Sequence, residues 1–135
     1  MIAGRIENVV NLVRDWYRVL PKPIRNRPTL DVPGEEIDLI VSLLQEETAE
    51  FDAAMSDRDI VRVADALADI VYVVYGASLQ FGFDLDVVLQ EVHRANMSKS
   101  FSDGHYEFDP DGKVRRGDNY RAPDLEWLRE SSPDP

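Results

Sequence analysis

Residues 58–81 read RDIVRVADALADIVYVVYGASLQF. At about 100° per residue, Ala64, Leu67, Ile70, Val71, Val73, Val74 and Ala77 cover almost the whole circumference of a helix. A helix apolar nearly all round is buried on most of its sides, so this segment predicts the centre of a helical bundle. Two acidic residues interrupt it. Asp65 and Asp69 are one turn apart and share a face, which Tyr72 and Gly76 continue. Carboxylates in such a setting are costly unless they are paired or bind a metal. Alternatively, Asp65 and Asp69 form a solvated strip with Arg58 and Arg62.

The preceding segment carries a second acidic cluster, Glu46-Glu47-Thr48-Ala49-Glu50. It lies in a helix predicted from Gly34 or Glu35 to about Met55, whose acidic first turn suits the helix dipole. Ile40, Leu44 and Phe51 form the apolar stripe of this helix, and Glu47 lies in its centre, where a leucine is expected. Glu50 sits at the edge of the stripe and Glu46 just beyond. Glu47 either pairs with an arginine from another helix or helps to hold a cation. Two misplaced acidic clusters on neighbouring helices favour the cation. Oxygen-only ligands select hard ions, Mg²⁺ or Mn²⁺, over zinc. Mg²⁺ joined to carboxylates and substrate phosphates is the arrangement suited to hydrolysing a phosphoanhydride.

A first helix is predicted from about Gly4 to Leu20, with Ile6, Val9, Val10, Val13, Trp16, Tyr17 and Leu20 at helical spacing and Pro21 and Pro23 ending it. Residues 22–33 are a polar, proline-rich connector. Ser56 and Asp57 offer caps for the third helix, about Arg58 to Phe81, and Gly82 closes it. Asp84 caps a fourth helix ending near Ser98, with Leu85, Leu89 and Val92 as its buried stripe. Beyond residue 100 the chain is punctuated by glycine and proline. Tyr106 to Phe108 and Lys113 to Arg115 can form a small hairpin around Asp111-Gly112, and Asp124 to Arg129 a short terminal helix. There is no internal repeat and no glycine-rich phosphate loop. The predicted fold is all-α: one domain over residues 1–135, a four-helix-type bundle over about 4–99 and an irregular tail over about 100–135.

Composition narrows the function. The chain has 135 residues and a net charge of -11. That charge argues against a nucleic-acid partner, which needs basic surface, and it opposes an anionic substrate unless a cation mediates the contact. No apolar run of about 18 residues free of charge is present, so no membrane partner is expected. The N-terminus lacks a signal-peptide pattern, and cysteine is absent, which excludes disulfides and thiolate metal sites. A cytoplasmic setting is expected.

Asn96 falls on the stripe of the fourth helix, with Lys99 close beside it at the predicted helix end. Asn96 suits a sugar or phosphate oxygen. Lys99 either neutralises phosphate or compensates the helix C-terminus. Lys113, Arg115 and Arg116 form a basic island that either closes over an anion or is ordinary hairpin-edge charge. Trp16 and Tyr17 can supply a stacking platform for a base, although at helical spacing both also suit a core. His93 and His105 are isolated and read as surface or structural residues.

These residues resemble the MazG-like all-α nucleoside triphosphate pyrophosphohydrolases, in their bacterial and bacteriophage branch. The family signature is E-x-x-E on one helix and E-x-x-D on the next. Glu47-Thr48-Ala49-Glu50 fits the first half, preceded by Glu46. The second half departs from the pattern: Ala66 stands where glutamate is usual, with Asp65 one residue earlier as its substitute. The segment VADALADIVYVVYGASLQFGFDLDVVLQEVHRANMSK, residues 63–99, and the tail DGKVRRGDNYRAPDL are similar to this branch. The resemblance implies that Glu47, Glu50 and Asp69 bind Mg²⁺, or Mn²⁺ in its place, with Asp65 assisting, and that Glu46 or Glu47 activates the water. It implies that Asn96 and Lys99 of N-x-x-K contact the nucleotide, with Arg115 or Arg116 on the leaving phosphates. The implied reaction cleaves a (d)NTP between its α and β phosphates, giving (d)NMP and pyrophosphate for nucleotide-pool control. Related members act on dUTP, dCTP, dGTP or modified nucleotides, and the implied assembly is a homodimer or homotetramer. The alternative is a non-catalytic protein that senses nucleotides or bridges partners.

Overall fold

The computed structural model describes residues 8–135. These form five helices: α1 (Val9–Val19), α2 (Gly34–Ser56), α3 (Ile60–Phe81), α4 (Leu85–Met97) and α5 (Glu126–Ser131). Among the described residues the only β pairing is a single antiparallel bridge between Phe108 and Val114. The fold is all-α, as the sequence predicts. The predicted start of the first helix, Gly4 to Glu7, lies outside the described residues. The described residues gather into two compact units, residues 8–83 with Ser132–Pro135, and Asp84–Ser131.

In the first unit α2 and α3 pack along each other and α1 packs on α3. The reversal between α2 and α3 occupies only Asp57 to Asp59. Arg58 adopts a left-handed conformation (φ 54°). Its N–H donates to the Met55 carbonyl at 3.1 Å, and the Asp59 N–H donates to the Ala54 carbonyl at 3.1 Å. This pair of bonds satisfies the last carbonyls of α2 and turns the chain sharply. The cap of α3 is Asp59, whose side chain accepts from the N–H groups of Val61 and Arg62. The predicted caps, Ser56 and Asp57, are instead the last residue and C-cap of α2. The helix therefore begins two residues later than expected.

The connector, residues 22–33, has more structure than its composition suggests. The Arg25 N–H donates to the Leu79 carbonyl (2.9 Å) and the Thr29 N–H to the Phe81 carbonyl (2.9 Å). The Arg25 guanidinium reaches the Gln80 carbonyl at 2.7 Å. A helix leaves its last carbonyls without intrahelical partners, and here the connector supplies them for three consecutive residues of α3. Asp134 secures the connector from its far side, accepting from the Thr29 hydroxyl (2.7 Å) and the Leu30 N–H (2.6 Å). Gly82 ends α3 at φ 81°. A Cβ there would lie 2.0 Å from the Arg27 carbonyl oxygen, so glycine is required by both conformation and space.

In the second unit Asp84 caps α4 by accepting from the Asp86 N–H. The helix ends at Met97, so Lys99 lies beyond its C-cap Ser98 rather than inside its last turn. The Tyr106 hydroxyl donates to the Met97 carbonyl at 2.6 Å and helps to close that end. The expected buried stripe is displaced. Leu89 is 47% exposed and Asn96 is exposed, whereas Ala95 is 2% exposed. The cause is the tail: the Arg94 guanidinium donates to the Ala122 carbonyl, and Glu91 accepts the Asp124 N–H. Those bonds draw the covering chain to the Glu91–Ala95 side. The hairpin is reduced to its one bridge around Asp111-Gly112, and the terminal helix starts at Glu126, two residues later than expected.

Candidate metal centre and adjoining pocket

Glu47 lies one heptad after Ile40 and one heptad before Ala54, and both of those residues are buried, at 8% and 0% exposure. It therefore projects along the face of α2 that packs on α3, and its side chain is half-buried. Asp69 is half-buried on α3, whereas Glu46, Glu50 and Asp65 are exposed. Burial pushes the Glu47 carboxyl above the usual carboxylate range, and the charges of Asp69, Glu50, Glu46 and Asp65 push it further. The four other carboxylates named from the sequence thus all act on Glu47, from two helices.

No compensating cation is supplied by the described residues. None of these five carboxylates forms an ion pair with a described residue. Arg62 pairs with Asp57 rather than with Asp65, and Arg25 is taken by Glu36 at 3.2 Å. Among the described residues no three of the acidic side chains converge closely enough to hold an ion as they stand. Mutual repulsion keeps unneutralised carboxylates apart. The donor set nevertheless has the chemistry of a hard divalent cation: oxygen atoms only, an excess of negative charge, and no basic partner among the described residues. Ala66 is 3% exposed and fills the packed face of α3. Asp65, its nearest acidic neighbour, points to solvent.

One turn along the same two helices is a pocket of about 140 Å³. Its walls include Trp16, Tyr17, Leu43 and Tyr72, with Lys22 and Gln80 as polar members. Trp16 and Tyr17 thus have different roles. Tyr17 is buried at 8% exposure, while Trp16 is 48% exposed. The Tyr17 hydroxyl donates to Gln80 Oε1 (3.1 Å), and Gln80 Nε2 donates to Glu36 (3.3 Å), which also receives Arg25. Burial raises the Tyr17 pKa, with Tyr72 and Glu36 adding to the shift. The Arg25 hydrogen bond is the main cause of the lowered pKa of Glu36. The sequence reading missed Arg25, Glu36 and Gln80. A glutamine within the apolar run of α3 was the available signal.

The remaining candidates belong to the second unit. Lys99 is half-buried and forms no ion pair with a described residue, while its carbonyl accepts the Gly117 N–H at 2.9 Å. The basic island is locally engaged: Lys113 lies 3.6 Å from Asp111, Arg115 3.0 Å from Asp109, and Arg116 sits over the Tyr120 ring at 4.9 Å. His105 pairs with Asp103, which raises its pKa, and stacks on Phe101. These contacts agree with a structural role for His105. His93 is exposed on α4.

Comparison with known proteins bears on the same helices. A 56-residue stretch of the chain, 42% of its length, is 36% identical to an uncharacterized protein of Acanthamoeba polyphaga mimivirus. That stretch spans about a fifth (22%) of the viral protein. Residues 13–96, from α1 through α4, match the family described as phosphoribosyl-ATP pyrophosphohydrolase. With well over half of its length matched, the chain belongs to the phosphoribosyl-ATP pyrophosphohydrolase family, within the MazG-like all-α NTP pyrophosphatase superfamily.

Proposed function

We propose that the protein is a Mg²⁺-dependent pyrophosphohydrolase that cleaves a (deoxy)nucleoside triphosphate between its α and β phosphates. One observation carries this reading: Glu47, in the packed face of α2, is raised in pKa by burial and by four carboxylates, with no basic partner among the described residues. Glu47, Glu50 and Asp69 would hold Mg²⁺ or Mn²⁺, with Asp65 assisting. A bound ion would neutralise substrate phosphate and acidify a water molecule. Glu46 or Glu47 accepts a proton from the attacking water. The oxygen of that water bonds to phosphorus as the bridging α–β P–O bond breaks, and the electron pair leaves with pyrophosphate. Asn96 and Lys99 are assigned to the nucleotide, and Lys113, Arg115 and Arg116 to phosphate.

The exposed apolar residues of α3, Leu67 (46%), Val71 (45%) and Val74 (37%), support assembly with a second copy of the chain. A cytoplasmic role in nucleotide-pool control completes the proposal. No helix of the described chain is long and apolar enough to cross a membrane.

The deciding experiment measures pyrophosphate release with Mg²⁺ over a panel of NTPs, dNTPs and phosphoribosyl-ATP. Turnover of at least one member is expected, and Glu47→Gln and Glu50→Gln each abolish it while keeping the fold. The competing reading is a non-catalytic nucleotide sensor or helical interaction protein. Ala66 in place of the signature glutamate favours it. Tight Mg²⁺-dependent binding without turnover of any panel member would establish it.

A further inference from the structure

We infer that the pocket between α1, α2 and α3 is a base-selecting site that takes a single-ring base bearing carbonyl oxygens, a uracil or thymine, in preference to a purine. This rests on the nucleotide-hydrolase reading and adds the identity of the base. Three observations carry it.

The first is position. Leu43 precedes Glu47 by four residues on α2, and Tyr72 and Val73 follow Asp69 by three and four residues on α3. The two helices run in opposite directions after the tight Asp57–Asp59 reversal, so both offsets lead the same way along the seam. The pocket therefore begins about 5 Å, one helical turn, from the carboxylates. A nucleotide's sugar spans such a separation between its base and its first phosphate.

The second is size and shape. The cavity of about 140 Å³ is under half of the roughly 300 Å³ at which sites for drug-sized ligands begin. It accommodates one flat ring, not a whole nucleotide. The walls match such a ring: Leu39, Ile40, Leu43 and Val73 are aliphatic, while Trp16, Tyr17 and Tyr72 are aromatic. Stacking of a base on an aromatic side chain is a favourable and common contact.

The third is the polarity of the lining. Among the described residues no carboxylate lines the pocket. The Tyr17 hydroxyl is committed to Gln80 Oε1, and one N–H of Gln80 is committed to Glu36. Gln80 retains a second N–H, Lys22 supplies an ammonium 5.5 Å from the Tyr17 ring, and Trp16 carries an indole N–H. The pocket is rich in donors, and its acceptors are limited to the oxygens of Tyr17, Tyr72 and Gln80. Carbonyl oxygens of a uracil or thymine ring satisfy such donors. Uracil and thymine bring two such oxygens and a single N3–H that a lining oxygen can accept, whereas guanine and cytosine bring one carbonyl oxygen and adenine none.

The test uses monophosphates as probes, so that base recognition is read without hydrolysis. In a Trp127→Phe background Trp16 is the only tryptophan, and its emission reports the pocket. Uridine and thymidine monophosphates should quench it with affinity at least about tenfold above adenosine and guanosine monophosphates. Lys22→Met should remove most of that preference. Leu39→Phe, at a position 46% exposed and so tolerant of substitution, should obstruct the pocket and abolish quenching with an unchanged circular dichroism spectrum. Equal or tighter binding of the purine nucleotides overturns the inference, as does a pyrimidine preference untouched by Lys22→Met, or no binding of any monophosphate. Pyrophosphate release over the triphosphate panel is scored separately. Selective uridine binding without turnover would sink the hydrolase reading and leave the pocket standing. Turnover without base preference would do the reverse.

Discussion

Tyr17 lies directly on the bare backbone of Gly76. A Cβ at residue 76 would stand 2.0 Å from the Tyr17 hydroxyl oxygen and 2.6 Å from its ring carbon Cζ. The hydroxyl cannot simply swing aside, because the ring is buried and hydrogen-bonded to Gln80. This contact sets how closely α1 approaches α3. Gly76→Ala gains about 1 kcal/mol of helix propensity. It costs about 1–3 kcal/mol through overpacking, and about 1 kcal/mol more if the buried hydrogen bond breaks. Net destabilisation is expected, and thermal melting checks it. A melting temperature at or above wild type would show that α1 is not held against this glycine.

Arg58 occupies a left-handed position at which L-residues pay about 1–2 kcal/mol. It forms no ion pair with a described residue. Arg58→Gly removes the strain and recovers part of it after the entropic cost of glycine, about 0.5–1 kcal/mol. A rise of a few degrees in melting temperature is expected. Gly82→Ala should act in the opposite sense and more strongly, because the Arg27 carbonyl fills the space a methyl would need. Parallel melts of the two variants test both.

Glu47 titrates above the ordinary glutamate value of 4.5 in the folded chain. The folded state therefore binds its proton more tightly than the unfolded state. Stability from this group is greatest below the unfolded value and falls as pH rises through the raised folded value. Glu47→Gln should flatten that portion of the stability profile, measured by denaturant melts from about pH 4 to 7. At neutral pH, Mg²⁺ should raise the melting temperature of the wild type by mass action and leave Glu47→Gln unmoved. An equal Mg²⁺ response in both would place the cation elsewhere.

Asp69 is half-buried beside Glu47, while Asp65 is exposed. Asp69→Asn should weaken Mg²⁺ affinity or turnover more than Asp65→Asn, and superimposable Mg²⁺ titrations of wild type and Asp65→Asn would end any role for Asp65. From the signature alone, Ala66→Glu in the Asp65→Asn background should restore part of the loss. The burial of Ala66 alters that expectation. A glutamate there must enter the packed face of α3 close to other carboxylates, so the double variant should melt below Asp65→Asn rather than recover.

Glu91 is held at about 2 by hydrogen bonds from Arg94 and from the Asp124 N–H. Its folded value is depressed, so its stabilisation is complete above the unfolded value and is lost as pH falls through that window toward about 2. Glu91→Gln should remove this acid dependence and accelerate hydrogen exchange at the Asp124 amide at neutral pH. Unchanged exchange there would show that the tail is anchored by other contacts.

Helix periodicity and punctuation made α2, α3 and α4 legible to within about two residues. The same patterns exposed Glu47 as an acid in an apolar stripe. Those are local properties, governed by a spacing of 3.6 residues and by capping chemistry. Tertiary structure decided the rest, because it depends on which distant groups meet. A proline-rich connector became a strap because the last carbonyls of α3 needed donors. Tyr17 became a pocket wall because Gly76 lets it approach. Asn96 was left exposed because the tail covers the Glu91–Ala95 side of α4, a choice that no repeat within α4 encodes.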